Sequence, residues 1–155
     1  MSPYDRKLQR EYTLPAAVAR VWNVWTTDEG VRNFFSQNSL IGTEPGDPYE
    51  IYFMMDAPPG LRGSERCKIL RKEPLKCFTF SWNAPPHLDQ VRNQQTVVEL
   101  RFESLNEDST RLTLIHTGWG EGEQWDQAYS YFENAWFNIV LPRLEKYLSD
   151  QDPWS

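Results

Sequence analysis

Two histidines, two cysteines and one glycine-rich turn are the first places in this chain to look for chemistry. A metal ion needs several ligands brought together. His87 lies in a proline-flanked loop and His116 in a strand pattern, so no spacing supports a metal site. Cys67 and Cys77 form no C-x-x-C pair and neither neighbours a histidine. They flank a hairpin with its tip at Glu73-Pro74-Leu75-Lys76, whose regular register sets Cys67 opposite Trp82 rather than opposite Cys77. Both read as buried structural thiols without a disulfide. No serine or cysteine sits in a G-x-S-x-G or comparable nucleophile frame. Gly118-Trp119-Gly120-Glu121-Gly122 joins a strand to a helix, but its third glycine comes one position early for a dinucleotide loop, and Glu121 and Glu123 would repel a phosphate. Those glycines read as a tight turn into the last helix. No catalytic residue, cofactor or metal is therefore assigned.

His116 is the ionisable residue of most interest. It shares strand parity with Leu112 and Leu114, which aims it at a concave face, and its place near the strand end sets it toward a cavity mouth. It reads either as a buried histidine satisfied by a neighbouring carbonyl or as a polar contact to a ligand. As a general base it would need a partner carboxylate, and the sequence offers none. The stronger signal is aromatic. Rings make up 14% of the chain, with seven tryptophans, and each large ring buries on the order of 150–250 Å². Trp25, Phe34, Phe53, Trp82, Trp125, Tyr129, Phe132 and Trp136, together with His116, form the candidate ligand-binding set.

The elements that must position these residues follow from periodicity. Lys7 to Leu14 alternates as a strand, with Leu8, Tyr12 and Leu14 on one face. Pro15 is placed in the first turn of a short helix carrying Val18, Val21, Trp22 and Trp25. A second helix starts at Asp28, whose side chain is expected to cap it, and brings in Val31, Phe34 and Phe35. Strands then follow one another from Ser39 to Thr117: Tyr49 to Met55, Ser64 to Lys72, Lys76 to Trp82, a run centred on Val98, Leu100 and Phe102, and a last one through Leu112, Leu114 and His116. Glu65, Arg66, Glu99 and Arg101 read as solvated cross-strand pairs, and Asn83 to about Gln95 as a polar loop. From about Glu123 to Leu148, Trp125, Tyr129, Phe132, Trp136, Val140, Leu144 and Tyr147 make one helical stripe, which Pro142 should kink or interrupt. The expected fold is α+β: an antiparallel sheet of about seven strands curled around a long C-terminal helix, with two short helices after the first strand.

Composition bounds the function. At 155 residues one core is the default: residues 1–149 read as a single domain and 150–155 as a flexible tail. A net charge of -6 disfavours nucleic acid and anionic membrane surfaces. No stretch is apolar enough to span a bilayer, and Met1 to Arg10 carries charges where a leader peptide would have its apolar run, so the expected location is the cytoplasm.

The segments Arg10-Glu11-Tyr12-Thr13-Leu14-Pro15, Val21-Trp22, Thr27-Asp28-Glu29-Gly30-Val31, Gly63 to Trp82, Leu112 to Trp119 and Trp136 to Leu148, in that order, resemble the START-like superfamily. Within it they are most similar to the branch related to the C-terminal domain of Hsp90 ATPase activators. The resemblance implies a helix-grip (Bet v 1-like) fold that encloses small apolar molecules such as lipids, sterols or polyketides. It leaves three functions open: a module binding an apolar or aromatic, lipid-like ligand between sheet and helix; a protein-interaction module with a co-chaperone or stress role; and a cyclase or aromatase. The N-terminal half that such co-chaperones use is not expected here. The partners to expect are a small ligand, or alternatively a chaperone or another protein, for a chain that is a monomer or a homodimer.

Overall fold

The computed structural model describes residues 6–155, so the first half of Met1 to Arg10 lies outside the described residues. β1 (Leu8–Leu14) buries Leu8 and Leu14 and exposes Gln9, Arg10, Glu11 and Thr13. Pro15 does not enter a helix. α1 spans Val18–Thr26 and is preceded by an extended Ala17. The intervening residues are tied to the sheet first, with the Thr110 hydroxyl donating to the Ala16 carbonyl at 2.8 Å. α1 buries Val21, Val24 and Trp25, while Trp22 stands edge-on to Phe78 and Phe102.

α2 is a single turn, Asp28–Val31, and its cap is Thr27 rather than Asp28. Thr27 has the extended backbone that a cap requires, and its hydroxyl accepts the Gly30 amide at 2.9 Å. Asp28 already lies inside the turn. Its carboxylate accepts from the Ser39 hydroxyl at 2.6 Å and the Ile41 amide at 3.1 Å, which fixes β2 (Asn38–Ile41) against the helix.

β3 (Tyr49–Tyr52) pairs antiparallel with β2. β4 (Ile69–Glu73), β5 (Cys77–Trp82), β6 (Thr96–Asn106) and β7 (Ser109–Thr117) complete a five-stranded antiparallel sheet in the order β1-β7-β6-β5-β4. The β2–β3 hairpin continues past β4 through a Pro48–Lys68 bridge and the bond from the Tyr49 amide to the Cys67 carbonyl at 2.8 Å. Two expected strands are shorter than their alternation suggests. β3 stops at Tyr52 because the Phe53 and Met54 amides both turn to the Arg62 carbonyl, at 2.8 and 2.9 Å. β4 starts only at Ile69, and a bulge between Ile69 and Arg71 absorbs the one-residue offset set by the Glu73–Cys77 pair at the tip. Cys67 and Cys77 are both buried and free.

The chain closes with one long helical element across the concave face. It comprises α3 (Glu123–Asn134), a π-helical stretch (Ala135–Val140) and α4 (Leu141–Leu148). Pro142 explains the middle part. It stands at the second residue of α4, where it has no N–H to offer the preceding turn, and just before it the Leu141 amide reaches back five residues to the Trp136 carbonyl. The interruption expected at Pro142 is thus a widened turn directly upstream of it. This is a helix-grip arrangement: a curved antiparallel sheet holding a long terminal helix.

A buried bond also ties the sheet to α1: the Tyr49 hydroxyl donates to the Trp25 carbonyl at 2.7 Å, and both residues are fully buried. Tyr49→Phe keeps the ring, which stacks 4.3 Å from that of Phe80, and orphans the carbonyl. The variant should lose about 1–3 kcal/mol, read as a lower urea midpoint at unchanged slope.

Candidate functional site

β7 alternates inward and outward along its length, and the inward series Thr110, Leu112, Leu114 and His116 is fully buried. His116 ends that series at 0% exposure. Its Nδ1 lies 3.0 Å from the indole nitrogen of Trp136 and its Nε2 lies 2.6 Å from Thr96 Oγ1. An indole N–H can only donate, so Nδ1 is the bare nitrogen and the neutral ring carries its proton on Nε2, donating to Thr96. The Thr96 hydroxyl passes the chain on to the Trp82 carbonyl at 3.2 Å. The His116 carbonyl accepts the indole N–H of Trp119 at 2.9 Å. The ring's aromatic neighbours are Trp119, Phe132 and Trp136, none of them charged. Burial pushes the imidazole pKa down to about 3. His116 is therefore a neutral acceptor and donor with both nitrogens engaged, and it positions the ring of Trp136.

Trp136 has a second role as the wall of a cleft. A space of about 350 Å³ opens between the last helix, the 53–63 loop and the segment after β5. Phe35, Phe53, Trp82, Phe132 and Trp136 form its aromatic lining, with Tyr131, Ala135, Ile139 and Val140 beside them. The Phe35 ring lies 5.5 Å from Trp82, 5.6 Å from Trp136 and 5.9 Å from Phe53, and Trp82 lies 5.6 Å from Trp136. These contacts fix the rings against one another.

The structure brings four of the candidate residues, Phe53, Trp82, Phe132 and Trp136, to this cleft. Phe53 stands at its mouth, 50% exposed, because the chain has left the sheet there. Trp25 and Phe34 are wholly buried and pack edge-on at 5.0 Å. Trp125 and Tyr129 gather around Trp119 at the turn into α3, and the Tyr129 hydroxyl donates to the Lys7 carbonyl at 3.1 Å. That turn depends on Gly122, whose φ of +126° few side chains tolerate. His116 does not line the cleft and stands behind two residues that do, Trp136 and Phe132.

Three arginines, Arg62, Arg92 and Arg143, also line the cleft and were not singled out by the sequence. Arg92 is only 7% exposed. Its guanidinium donates to the carbonyls of Ala84 (2.5 Å), Gly60 (2.7 Å) and Gly63 (2.9 Å) and faces the Glu65 carboxylate at 3.4 Å. Glu65 in turn collects the amides of Gly60, Arg62 and Gly63. Burial would raise the Glu65 pKa, but these amides outweigh it and hold the carboxyl below its ordinary range. This corrects the reading of Glu65 and Arg66 as solvated cross-strand pairs, since both residues lie in a turn, not a strand, and Glu65 faces Arg92 instead. Glu99 and Arg101 pair along β6, not across strands. Gly63 sits so close to β3 that a Cβ there would fall 2.0 Å from the Ile51 carbonyl oxygen. The Asn83 to Gln95 segment also differs from a plain polar loop, because Ala84, Leu88, Val91 and Arg92 are buried. The i, i+3 pair Leu88 and Val91 was the available signal that this segment packs inward.

Burial pushes the Cys67 thiol up to about 12, which leaves it no thiolate at neutral pH. Among the described residues no group of three or more His, Cys, Asp or Glu could hold a metal ion, and no helix is long and apolar enough to cross a membrane.

Residues 15–149 match the family model described as activator of Hsp90 ATPase homolog 1-like protein. Solved structures agree in fold. A Mesorhizobium loti protein superposes with a TM-score of 0.74 at 19% identity, covering 95% of this chain and 99% of that one. An Hsp90 activator from Plasmodium falciparum gives 0.71 at 12%, covering 92% and 96%. The Aha1 dimer from Colwellia psychrerythraea gives 0.67 at 15%, with the same coverage. No curated protein matches the sequence.

The buried neutral imidazole makes stability depend on pH. Its folded pKa of about 3 lies below the unfolded value of about 6.5, so its contribution is complete above about pH 6.5 and is lost as pH falls toward 3, at up to about 1.4 kcal/mol per pH unit. His116→Gln can still accept from Trp136 and donate to Thr96, but it cannot titrate. Between pH 6.5 and 4 the wild type should lose stability with a slope one proton steeper than the variant, measured by urea unfolding at each pH.

Proposed function

The chain belongs to the activator of Hsp90 ATPase homolog 1-like family, and we propose that it serves there as a binding module for a small apolar or aromatic molecule held between the sheet and the terminal helix. The observation that carries this reading is the cleft itself. About 350 Å³ is within the range of small-molecule sites, and its rings are held by contacts that do not need an occupant. Edge-on and tilted aromatic walls suit a flat or chain-like apolar body.

The lining favours binding over turnover. It includes no aspartate, glutamate or histidine, and the one buried histidine has both nitrogens engaged. A cyclase-type reaction needs an acid or base within reach of the substrate, and only the Tyr131 hydroxyl and the arginines are available in the cleft. N-phenyl-1-naphthylamine, a neutral fluorescent probe, should bind saturably and quench tryptophan emission. Ala135→Phe, which projects a ring into the space, should weaken that binding at least tenfold while leaving Tm within a few degrees. Binding that Ala135→Phe does not change would place the probe elsewhere and sink this reading.

The family supports a second reading, contact with a chaperone, since two of the similar structures are an Aha1 dimer and an Hsp90 activator. The outward sheet face, where Glu11, Arg71, Glu99, Arg101 and Arg111 surround a shallow depression, would be the contact surface. This reading predicts that the protein raises the ATPase rate of the chaperone from its own source, and that Arg101→Glu with Arg111→Glu abolishes the effect. An unchanged ATPase rate at saturating protein would remove it.

A further inference from the structure

The charges around the cleft point to more than an apolar occupant. In a chain of net charge -6, the lining holds three arginines and no carboxylate. The arginines are not equivalent. Arg92 is used internally, with its guanidinium committed to three carbonyls and Glu65. Arg62 donates from its Nε to the Ala57 carbonyl at 2.8 Å, and its two terminal nitrogens have no hydrogen-bond partner among the described residues. Among the described residues the Arg143 guanidinium makes no hydrogen bond and lies 5.0 Å from the centre of the Trp154 ring. Neither Arg62 nor Arg143 has an ion pair among the described residues, and both are half-buried.

A guanidinium beside apolar walls is screened less than one in open water, and it offers paired N–H groups that suit a planar or tetrahedral oxyanion. The opposite arrangement, a cation in the ligand, would face two uncompensated positive charges. An uncharged ligand would leave both donors to water alone.

We propose that the occupant of this cleft is an amphipathic anion: an apolar or aromatic body lying against Phe35, Trp82 and Trp136, and a carboxylate, sulfonate or phosphate held by Arg62 and Arg143. The proposal rests on the reading of the cleft as a ligand site. The space, about 350 Å³, lies at the small end for ligand pockets. It fits a two-ring body or a medium-length chain, not a two-chain lipid.

Two probes that share one ring system separate the two ideas. 8-Anilinonaphthalene-1-sulfonate is N-phenyl-1-naphthylamine with a sulfonate added. Fluorescence titration should give the sulfonate a Kd at least tenfold lower than the neutral probe, although the neutral one is the more hydrophobic. Arg62→Gln with Arg143→Gln should erase that preference, raising the Kd of the sulfonate at least fivefold and leaving the neutral probe within twofold. Arg143→Gln alone, which removes no hydrogen bond among the described residues, should produce part of the loss at unchanged Tm and keeps the test valid if the double variant is unstable. Equal affinities for the two probes, or a sulfonate preference that survives both substitutions, would overturn the anion assignment and leave the cleft standing. Failure of both probes to bind, or binding insensitive to Ala135→Phe, would remove the ligand site and this proposal with it.

Discussion

An indole N–H buried in a core is costly to leave without an acceptor, and for Trp136 that acceptor is a histidine nitrogen. The Trp136–His116 bond crosses from the terminal helix to the last strand at full burial, and the imidazole transmits it through Thr96 to the backbone of β5. Leaving either group unpaired there would cost more than the bond itself contributes. The helix is therefore held on the sheet in one rotation about its axis, not merely against it. That rotation decides which residues face the cleft: Tyr131, Phe132, Ala135, Trp136, Ile139, Val140 and Arg143 do.

Two walls of different construction follow. The sheet and helix side is made of rings locked by other rings and by the histidine network. The opposite side is an irregular loop that lacks a ladder of its own, and Glu65 and Arg92 stand in for the ladder by gathering amides and carbonyls from residues 60–63 and 84. Burying that carboxylate and guanidinium carries a desolvation penalty, and their several backbone partners are what offset it. Phe53, Met54, Met55 and Leu61 remain well exposed on this loop, so the cleft has a rigid floor and an apolar, less embedded rim.

Much of the frame was legible in the sequence. Strand alternation placed Leu112, Leu114 and His116 on one face, and a proline inside a helical stripe signalled its own interruption. The cleft was harder to read. Phe34 and Phe35 are neighbours in a short segment and both are buried, and nothing in their spacing says that Phe35 reaches the cleft while Phe34 backs it. Phe53 alternates correctly with Ile51, yet the strand ends before it, because two amides prefer the Arg62 carbonyl. The Glu65 and Arg92 cluster joins residues that sit 27 positions apart in loops. No period links such residues, so only the folded chain reveals them.

The π-helical stretch has a geometric consequence of its own. The cleft-facing helical residues recur every four positions, as Tyr131 and Phe132, Ala135 and Trp136, Ile139 and Val140, then Arg143. In a regular α-helix each step of four overshoots a full circle by about 40°, so this stripe would wind away from the cleft within three turns. A turn closed over five residues is wider and gives that angle back. The terminal helix thus contains one residue more than a straight rod between the same ends would need, and this surplus keeps ring and guanidinium pointing into the same hollow. Excising a single residue between Asn134 and Leu141 would yield a better helix and a worse container.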